Sequence, residues 1–228
     1  MKKNIYENLY SAQDSLDLSH CQRLAIMLDM VNCRDFANRK ILDIGCHDGA
    51  FLSRIKNRNN EFYGIEAADF AVDKAREKGI KVEKFFFDDT SALPFADGFF
   101  DLIVAGEIIE HIYDTDFFLS EIKRLLKIDG YLLISTPNIA SLGRRLMLLL
   151  GFNPIIEVSP NEKGSCGHIR YFTFKTLRGI LEKHGFILIA GRSDVVNFSG
   201  GGRLKSSFLA DIFPALGQSV IYFCQRKA

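Results

Sequence analysis

The stretch Lys40–Phe51, with the sequence KILDIGCHDGAF, predicts a short buried strand that ends in a glycine turn and continues directly into a helix. Its first five residues are mostly apolar, which is typical of a strand buried on both faces. Gly45 and Gly49 allow the backbone to pass close to a ligand, because no Cβ lies in the way. The N-terminus of the predicted helix offers unpaired N–H groups to a polar or anionic group. On its own, this unit indicates a site for a nucleotide-type cofactor.

Composition and charge limit the class of protein. The chain has 228 residues, of which 47% are hydrophobic, and this predicts one well-buried core and a single domain over residues 1–228. Lysine and arginine number 29 against 28 aspartate and glutamate, so no nucleic-acid partner is expected. The five cysteines are widely spaced, and the N-terminus lacks the apolar run of a secretory signal. We therefore expect a cytoplasmic protein without a transmembrane segment.

Predicted strands and helices alternate between residues 41 and 135. Ser19 is the predicted N-cap of a helix that runs to about Val31. After the glycine turn and its helix to about residue 57, the pattern predicts strands over 61–65, 82–87, 100–105 and 131–135, with helices over 68–78 and 116–126. The strands are near-continuous apolar runs, which is typical of a parallel sheet covered on both faces.

The last third of the sequence has a different pattern. An apolar helix interrupted by Arg144 and Arg145 is predicted over 139–150, and a long loop over 151–167. The remaining predicted elements are a helix over 175–183, a strand over 186–196 with a bulge at Gly191, a short helix near Phe208 and a strand over 220–224. The two late strands indicate a final sheet pair rather than another βαβ repeat.

Acidic residues follow the predicted strands at the points where the strands end. Asp43 lies at the end of the first strand, Glu66 ends the second, and Asp88 and Asp89 follow the third. Ligands of open α/β sheets bind beyond the carboxyl ends of the strands. An acid at the second strand can accept hydrogen bonds from a ribose diol, and an acid at the third can accept from an exocyclic amine such as that of adenine.

The glycine spacing separates two classes of nucleotide-binding enzyme. A dinucleotide-dependent oxidoreductase carries G-x-G-x-x-G, which the chain does not match, because Gly45 and Gly49 are four residues apart with His47 between them. A wider set of motifs comprises Asp43-Ile44-Gly45-Cys46-x-Asp48-Gly49, Glu66, Asp89 with Leu93-Pro94-Phe95, Phe100-Asp101-Leu102-Ile103, and Leu126-Lys127-x-x-Gly130-Tyr131-Leu132-Leu133-Ile134. With these motifs the chain resembles the class I S-adenosylmethionine-dependent methyltransferases, over about residues 20–195.

The resemblance implies a fold and a cofactor. The fold is α/β, a Rossmann-like, doubly wound sheet of seven strands, mostly parallel, with the last strand antiparallel and the order 3-2-1-4-5-7-6. The chain is divided into an N-terminal helical lid over 1–38, a cofactor-binding core over 39–136, and a substrate region with the final strands over 137–228. Tyr6 and Tyr10 close the lid or pack it on the core. S-adenosylmethionine is the implied methyl donor and S-adenosylhomocysteine the product.

The resemblance also assigns cofactor contacts. Gly45 and its turn face the methionine part, Glu66 holds the ribose hydroxyls, and Gly106 lines the sulfonium side. Asp89 meets the adenine amine, with Asp88 as the alternative. The implied cofactor-binding residues in this core are Asp43, Gly45, Cys46, Gly49, Glu66, Ala67, Asp89 and Gly106.

His47 departs from the family pattern, because it replaces the middle glycine of the usual G-x-G-x-G. Its imidazole either crowds the methionine part of the cofactor or points away from it. We expect the histidine to be tolerated, since a non-glycine residue costs little if φ stays negative.

Two further motifs resemble the branch that contains the ubiquinone-pathway O-methyltransferases. They are Gly106-Glu107-Ile108-Ile109-Glu110-His111 and His168-x-x-Tyr171-Phe172-Thr173. In that branch, an arginine in the helix before the first strand reaches the carboxylate of the cofactor. Arg23 is at the matching place and is the last predicted cofactor-binding residue, with a solvated helix arginine as the alternative.

The same motifs supply the candidate catalytic residues, which are His111, His168 and Glu107. Either histidine can act as the general base that removes a proton from an acceptor hydroxyl, and a structural histidine is the alternative. A second hypothesis is that these three residues and Glu110 hold Mg²⁺ or Mn²⁺. The prediction adopted is a site without a metal.

The sequence thus predicts methylation of an oxygen on a small-molecule acceptor by direct in-line transfer. The alternatives are a dinucleotide-dependent oxidoreductase and a protein that binds the cofactor without turnover. For Leu142–Phe152, the hypotheses are a lid over an apolar or lipid-linked acceptor, a surface helix at a membrane interface, and a helix packed on its own domain, which is the expectation.

Overall fold

The computed structural model describes residues 21–56, 58–87, 91–154, 167–198 and 204–227. In this part of the chain the α-helices are α1 (Gln22–Asn32), α2 (Asp69–Glu77), α3 (Thr115–Leu125), α4 (Leu142–Leu149), α5 (Phe174–Lys183) and α6 (Ser207–Ile212). The strands are β1 (Lys40–Ile44), β2 (Glu61–Glu66), β3 (Lys81–Lys84), β4 (Phe100–Gly106), β5 (Leu126–Pro137), β6 (Phe186–Arg192), β7 (Val196–Asn197), β8 (Lys205–Ser206) and β9 (Ser219–Arg226).

One sheet of seven strands carries the fold, with the order β3-β2-β1-β4-β5-β9-β6. The first five strands pair in parallel, whereas β9 is antiparallel to both β5 and β6. Because β9 is the seventh strand of this sheet along the chain, the predicted order 3-2-1-4-5-7-6 and the antiparallel last strand are confirmed. The strands β7 and β8 form a separate two-stranded pair.

Successive residues of the central strands point to opposite faces of the sheet, and each face is covered by helices. In β1, Ile41 packs in one core cluster with residues of α1 and α2, while Leu42 packs in a second cluster with residues of α3 and α5. The strands β4, β5 and β9 alternate in the same way. This two-sided burial explains the near-continuous apolar runs and confirms the doubly wound arrangement.

The predicted helix after Gly49 is wrong, because only a single 3₁₀ turn, Leu52–Arg54, forms there. The segment is held by side-chain bonds instead. The carboxylate of Asp48 accepts from the Ala50 N–H at 3.1 Å and from Lys78 Nζ at 2.8 Å. A long helix N-terminus therefore does not point at the glycine turn, and the site depends on individual backbone N–H groups.

Several predicted element ends also differ from the structure. The strand predicted over 82–87 ends at Lys84, and the strand predicted over 186–196 ends at Arg192 with its register shift between Leu188 and Ala190 rather than at Gly191. The strand predicted from residue 131 already begins at Leu126, directly after α3. The N-cap of α1 is Cys21 rather than Ser19, which lies outside the described residues together with Tyr6 and Tyr10.

Helix α4 leaves most of its apolar side chains in solvent. Gly143 is its buried residue, whereas Leu148 and Leu149 are 65% and 81% exposed. The expectation that this helix packs on its own domain is therefore wrong for its second half, because the leucines there are exposed. None of the helices in the described part of the chain has the length and hydropathy needed to cross a bilayer.

Candidate functional site

A cleft lies at the carboxyl ends of β1, β2 and β4, the edge where the sequence placed the candidate residues. Its walls are the glycine turn after β1, the end of β2, the segment after β3 and the turn after β4. Phenylalanines 85–87 and four isoleucines, at positions 44, 65, 108 and 112, form its apolar wall. The predicted site residues that line it are Gly45, Glu66, Ala67, Glu107 and His111.

The glycine turn is tightly constrained at two positions. Gly45 has a φ of +76°, and a Cβ on it would lie 2.3 Å from Cδ1 of Ile108, which crosses over the turn. Gly49 has a φ of +72°, and a Cβ there would lie 2.2 Å from Cδ1 of Ile80. Glycine is therefore required at both positions, but Gly49 serves the packing of the turn rather than the cleft wall.

His47 adopts a left-handed backbone with a φ of +47°, so the condition on which a low cost was expected, a negative φ, is wrong. A non-glycine residue in this region costs roughly 1–2 kcal/mol. The histidine is 8% exposed and lines the cleft, with Nδ1 3.5 Å from Oδ1 of Asp48. The left-handed turn directs the His47 N–H to Oε2 of Glu66 at 2.9 Å. The backbone strain thus serves to hold a carboxylate at the end of β2.

The Glu66 carboxylate is fixed by three backbone N–H groups. Besides His47, the N–H groups of Ala67 and Ala68 donate to Oε1 at 2.8 and 3.0 Å. A carboxylate oxygen can accept two hydrogen bonds, so Oε2 retains capacity for a further donor. The structure therefore presents Glu66 in a preset orientation toward the cleft.

Arg23 is not a solvated helix arginine. Its side chain is 17% exposed, with Nη1 3.5 Å from Oε1 of Glu107, and it donates to Oγ of Ser135 at 3.1 Å. Ser135 Oγ in turn donates to the same Glu107 oxygen at 3.2 Å. A Cβ on Gly106 would lie 3.7 Å from Nη1 of Arg23. Arg23, Gly106 and Glu107, which the sequence predicted separately, thus form one group.

Two of the predicted cofactor residues lie behind the cleft wall. Asp43 pairs with Gly64 and Val104 in the middle of the sheet, and burial and then the charge of Glu66 raise its pKa to about 8. Cys46 is buried with its Sγ against Gly64, and burial raises the pKa of the thiol. Both side chains belong to the core. Asp88 and Asp89 lie outside the described residues, so the adenine contact stays a prediction.

Glu110 is the buried centre of the second group, which lies after β4. It is 1% exposed, and its Oε2 accepts from Oγ1 of Thr136 at 2.9 Å. Its Oε1 has no hydrogen bond in the described structure and lies 3.9 Å from Nε2 of His168. Burial, and then the neighbouring Glu107, raise the pKa of this carboxyl. The backbone oxygen of Glu110 accepts from the N–H groups of Ile169 and Arg170.

These bonds bring the two predicted catalytic histidines together from distant parts of the chain. The ring centroids of His111 and His168 are 4.8 Å apart, and Nδ1 of His111 is 3.3 Å from the carbonyl oxygen of Gly167. The imidazoles therefore adjoin each other beside the cleft, and the carboxyl of Glu110 lies behind His168.

The same group is compact enough to hold a metal ion, since one ligand atom each of Glu110, His111 and His168 lie within 4.8 Å of one another. Glu107 is outside this set, because its carboxylate is engaged by Arg23 and Ser135. Two imidazoles and one carboxylate suit Zn²⁺, Mn²⁺ or Fe²⁺ better than Mg²⁺, which prefers oxygen ligands. The site without a metal remains a prediction.

Sequence reasoning missed the contribution of β5. Ser135 holds Arg23 and Glu107, while Thr136 holds Glu110, and both are fully buried at the carboxyl end of that strand. The available signal was a pair of hydroxyl residues directly after an apolar run, at the edge where ligands bind.

Comparisons with known proteins identify the family of the domain that carries this cleft. Residues 21–190 match a family of methyltransferase domains. The ubiquinone biosynthesis O-methyltransferase of Bartonella quintana is 27% identical over 73% of the chain and 67% of its own length. The chain covers 48% and 65% of two further Bartonella proteins of that name.

Two solved structures show how widely the fold is shared. A methyltransferase from Thermotoga maritima, titled a possible histamine N-methyltransferase, has a TM-score of 0.70 at 21% identity, with both chains fully covered. The [4+2]-cyclase SpnF has a TM-score of 0.62 at 19% identity, covering 96% of this chain and 86% of its own. At these identities the likeness concerns the fold, and the reaction has to be argued from the site.

Proposed function

The chain belongs to the S-adenosylmethionine-dependent methyltransferases, and from that premise we propose that it methylates an oxygen atom of a small-molecule acceptor. The family membership confirms the predicted resemblance and the cofactor, and it removes the dinucleotide-dependent oxidoreductase from consideration.

The cleft fits the cofactor. When bound, S-adenosylmethionine supplies an electrophilic methyl group on its sulfonium sulfur. Oε2 of Glu66 has acceptor capacity for a ribose hydroxyl, and the guanidinium of Arg23 beside Gly106 suits the amino-acid carboxylate. Gly45 keeps the turn free of a side chain at this point.

The remaining residues act on the acceptor. His111 or His168 takes the proton from the acceptor hydroxyl, which makes the oxygen a better nucleophile toward the methyl group. Glu110 positions His168 from behind. Holding the hydroxyl in line with the methyl group can supply up to roughly 7–11 kcal/mol of the barrier reduction, so no covalent enzyme intermediate is required.

The observation that carries the proposal is the histidine pair, with ring centroids 4.8 Å apart, next to the carboxyl end of β4. Side chains around it suit an aromatic or apolar acceptor, because Tyr113, Ile169 and Tyr171 are 68%, 53% and 40% exposed. An acceptor with a long apolar or lipid-linked part has further apolar surface available on α4. The name of the Bartonella relative supports an oxygen acceptor.

The test measures methyl transfer from S-adenosylmethionine to a panel of catechols and hydroquinones as a function of pH. His111→Asn and His168→Asn are compared with the wild type. His184→Asn is the control, because His184 caps α5 and bonds to Ile180 and Asp116. A lost general base typically lowers kcat by roughly 10²–10⁴-fold.

We expect kcat of one of the two site variants to fall by this factor, and the decrease of its rate at low pH to disappear. His184→Asn should keep the wild-type kcat and the wild-type pH profile. If both site variants keep the wild-type rate and profile, the proposed base is wrong. Tight binding of S-adenosylhomocysteine without transfer to any acceptor would instead favour a protein that binds the cofactor without turnover.

A further inference from the structure

Arg144 lies in the first turn of α4 and is not among the residues that line the cleft. Its guanidinium is half-buried, and Nη1 donates to the carbonyl oxygen of Asn138 at 2.7 Å. No carboxylate of the described residues lies within 4 Å of it, and it makes no second hydrogen bond to them. A partly desolvated cation without a counter-ion is unfavourable, so a missing anionic partner is indicated.

The attachment point of Arg144 is rigid. The Asn138 side chain is fully buried, donates to the carbonyl oxygens of Ala215 and Gly217 at 3.0 and 2.8 Å, and accepts from the Ala140 N–H. The preceding helix residue, Gly143, lies so close to Asn197 that a Cβ would be 3.1 Å from its carbonyl oxygen. These contacts set the orientation of α4 and hold the guanidinium in one place.

Arg144 lies near the segment that follows His168 in the chain. Asn138 forms a β-bridge with Phe172, and the Ile139 N–H donates to the Phe172 carbonyl at 2.9 Å. Arg144, which is bonded to Asn138, is thereby held near Tyr171, the residue before Phe172. Burial lowers the pKa of Arg144, whereas the nearby Glu107 and Tyr171 oppose that lowering. The charge of Glu107 is already engaged by Arg23 at 3.5 Å. Arg144 is therefore near Tyr171, three residues after His168 in the chain, and it is not the cation that pairs with Glu107.

We propose that Arg144 recognises a carboxylate on the methyl acceptor, so that the preferred acceptors are hydroxylated acids. This inference rests on the proposed function and specifies its substrate class. With Nη1 on Asn138, the Nε and Nη2 edge of the guanidinium is the one left for a planar carboxylate. Arg144 supplies one positive charge, and Glu107 is within its electrostatic range, so a monoanion fits better than a phosphate dianion, which would bring a second negative charge toward that carboxylate.

The test compares acids with their own amides. Calorimetry of the protein saturated with S-adenosylhomocysteine measures binding of three pairs: 4-hydroxybenzoate, 3,4-dihydroxybenzoate and 3-hydroxydecanoate, each against its amide. Arg144→Gln and Arg144→Lys are the variants. Arg145→Gln is the matched control on the same helix, because Arg145 is exposed and its bonds go to the carbonyls of Ala140 and Ala215.

We expect at least one acid to bind the wild type and Arg145→Gln about 10- to 100-fold tighter than its amide. Arg144→Gln should abolish this preference. Arg144→Lys should retain a preference of a few-fold, because lysine keeps the positive charge but lacks the two parallel N–H donors of the guanidinium. Unchanged affinity for S-adenosylhomocysteine reports that the variants remain folded. The same pairs used as substrates should show a raised KM with Arg144→Gln for the acid alone.

Absence of an acid preference in all three pairs overturns the proposal, as does a preference that survives in Arg144→Gln. The outcome is separable from that of the proposed function. If acids are preferred through Arg144 but the methyl group is transferred to another atom, only the proposed O-methylation is rejected. If oxygen is methylated without a preference for acids, only the recognition of a carboxylate by Arg144 is rejected.

Discussion

Removal of the Glu66 carboxylate gives a sharp prediction for cofactor binding. In Glu66→Ala, the ribose hydroxyls lose a charged acceptor, and the N–H groups of His47, Ala67 and Ala68 lose their partner. A hydrogen bond to a charged group contributes roughly 1.5–3 kcal/mol. Loss of one such bond from the complex should raise the dissociation constant for S-adenosylmethionine about 10- to 150-fold.

Calorimetric titration with S-adenosylmethionine and S-adenosylhomocysteine measures this change. Glu61→Ala is the matched control, because Glu61 is an acid at the opposite end of the same strand and pairs with Lys81 at 2.7 Å. Its affinity should equal that of the wild type. Urea unfolding checks that Glu66→Ala is folded. A folded Glu66→Ala protein with wild-type affinity would refute the assignment of Glu66 to the ribose.

Three further predictions concern the turn, the buried acid and the metal. His47→Gly should be about 1 kcal/mol more stable to urea than His47→Ala, because alanine keeps the cost of the positive φ; equal stabilities would contradict this. The pKa of Asp43 is raised from 3.8 to about 8, so the folded state binds more protons and unfolding free energy falls as pH rises between these values. Asp43→Asn should remove this pH dependence. Its free energy of unfolding should equal that of the wild type near pH 4 and exceed it by about 2–5 kcal/mol at pH 8; parallel curves of unfolding free energy against pH for the two proteins would count against the raised pKa. Exhaustive chelation should leave methyl transfer unchanged, and a loss restored by Mn²⁺ or Zn²⁺ would show that the Glu110, His111 and His168 group holds a metal.

The fold could be predicted from the sequence because its signals are local and repeated. Alternating apolar runs and helical patterns give the order of elements from Lys40 to Ser135, and the parallel sheet follows from burial on both faces. The short 3₁₀ turn after Gly49 was not predictable in this way. It depends on bonds between Asp48 and Lys78, which are distant in sequence and meet only in the folded chain.

Site residues were predictable where the end of a strand fixes their position. They were less predictable where the direction of the side chain decides whether a residue faces the cleft or the core. Glu66 and Glu107 lie in the cleft wall as their strand ends imply, whereas Asp43, one residue earlier in the pleat than Ile44, is buried behind it. The contact between His111 and His168 depends on backbone bonds to Glu110 from a segment more than fifty residues away. No local pattern carries such information.

Methyl transfer to an oxygen at the histidine pair is the reaction on which the proposed function depends. It is tested most directly by incubating the protein with S-adenosylmethionine labelled with ¹³C in the methyl group, using hydroxylated aromatic acceptors. The chemical shift of the transferred carbon then identifies the atom to which it is bonded. We predict a labelled O-methyl product that is lost in the double variant His111→Asn, His168→Asn. A labelled N-methyl or C-methyl product, or an O-methyl product formed equally by that variant, would contradict the account.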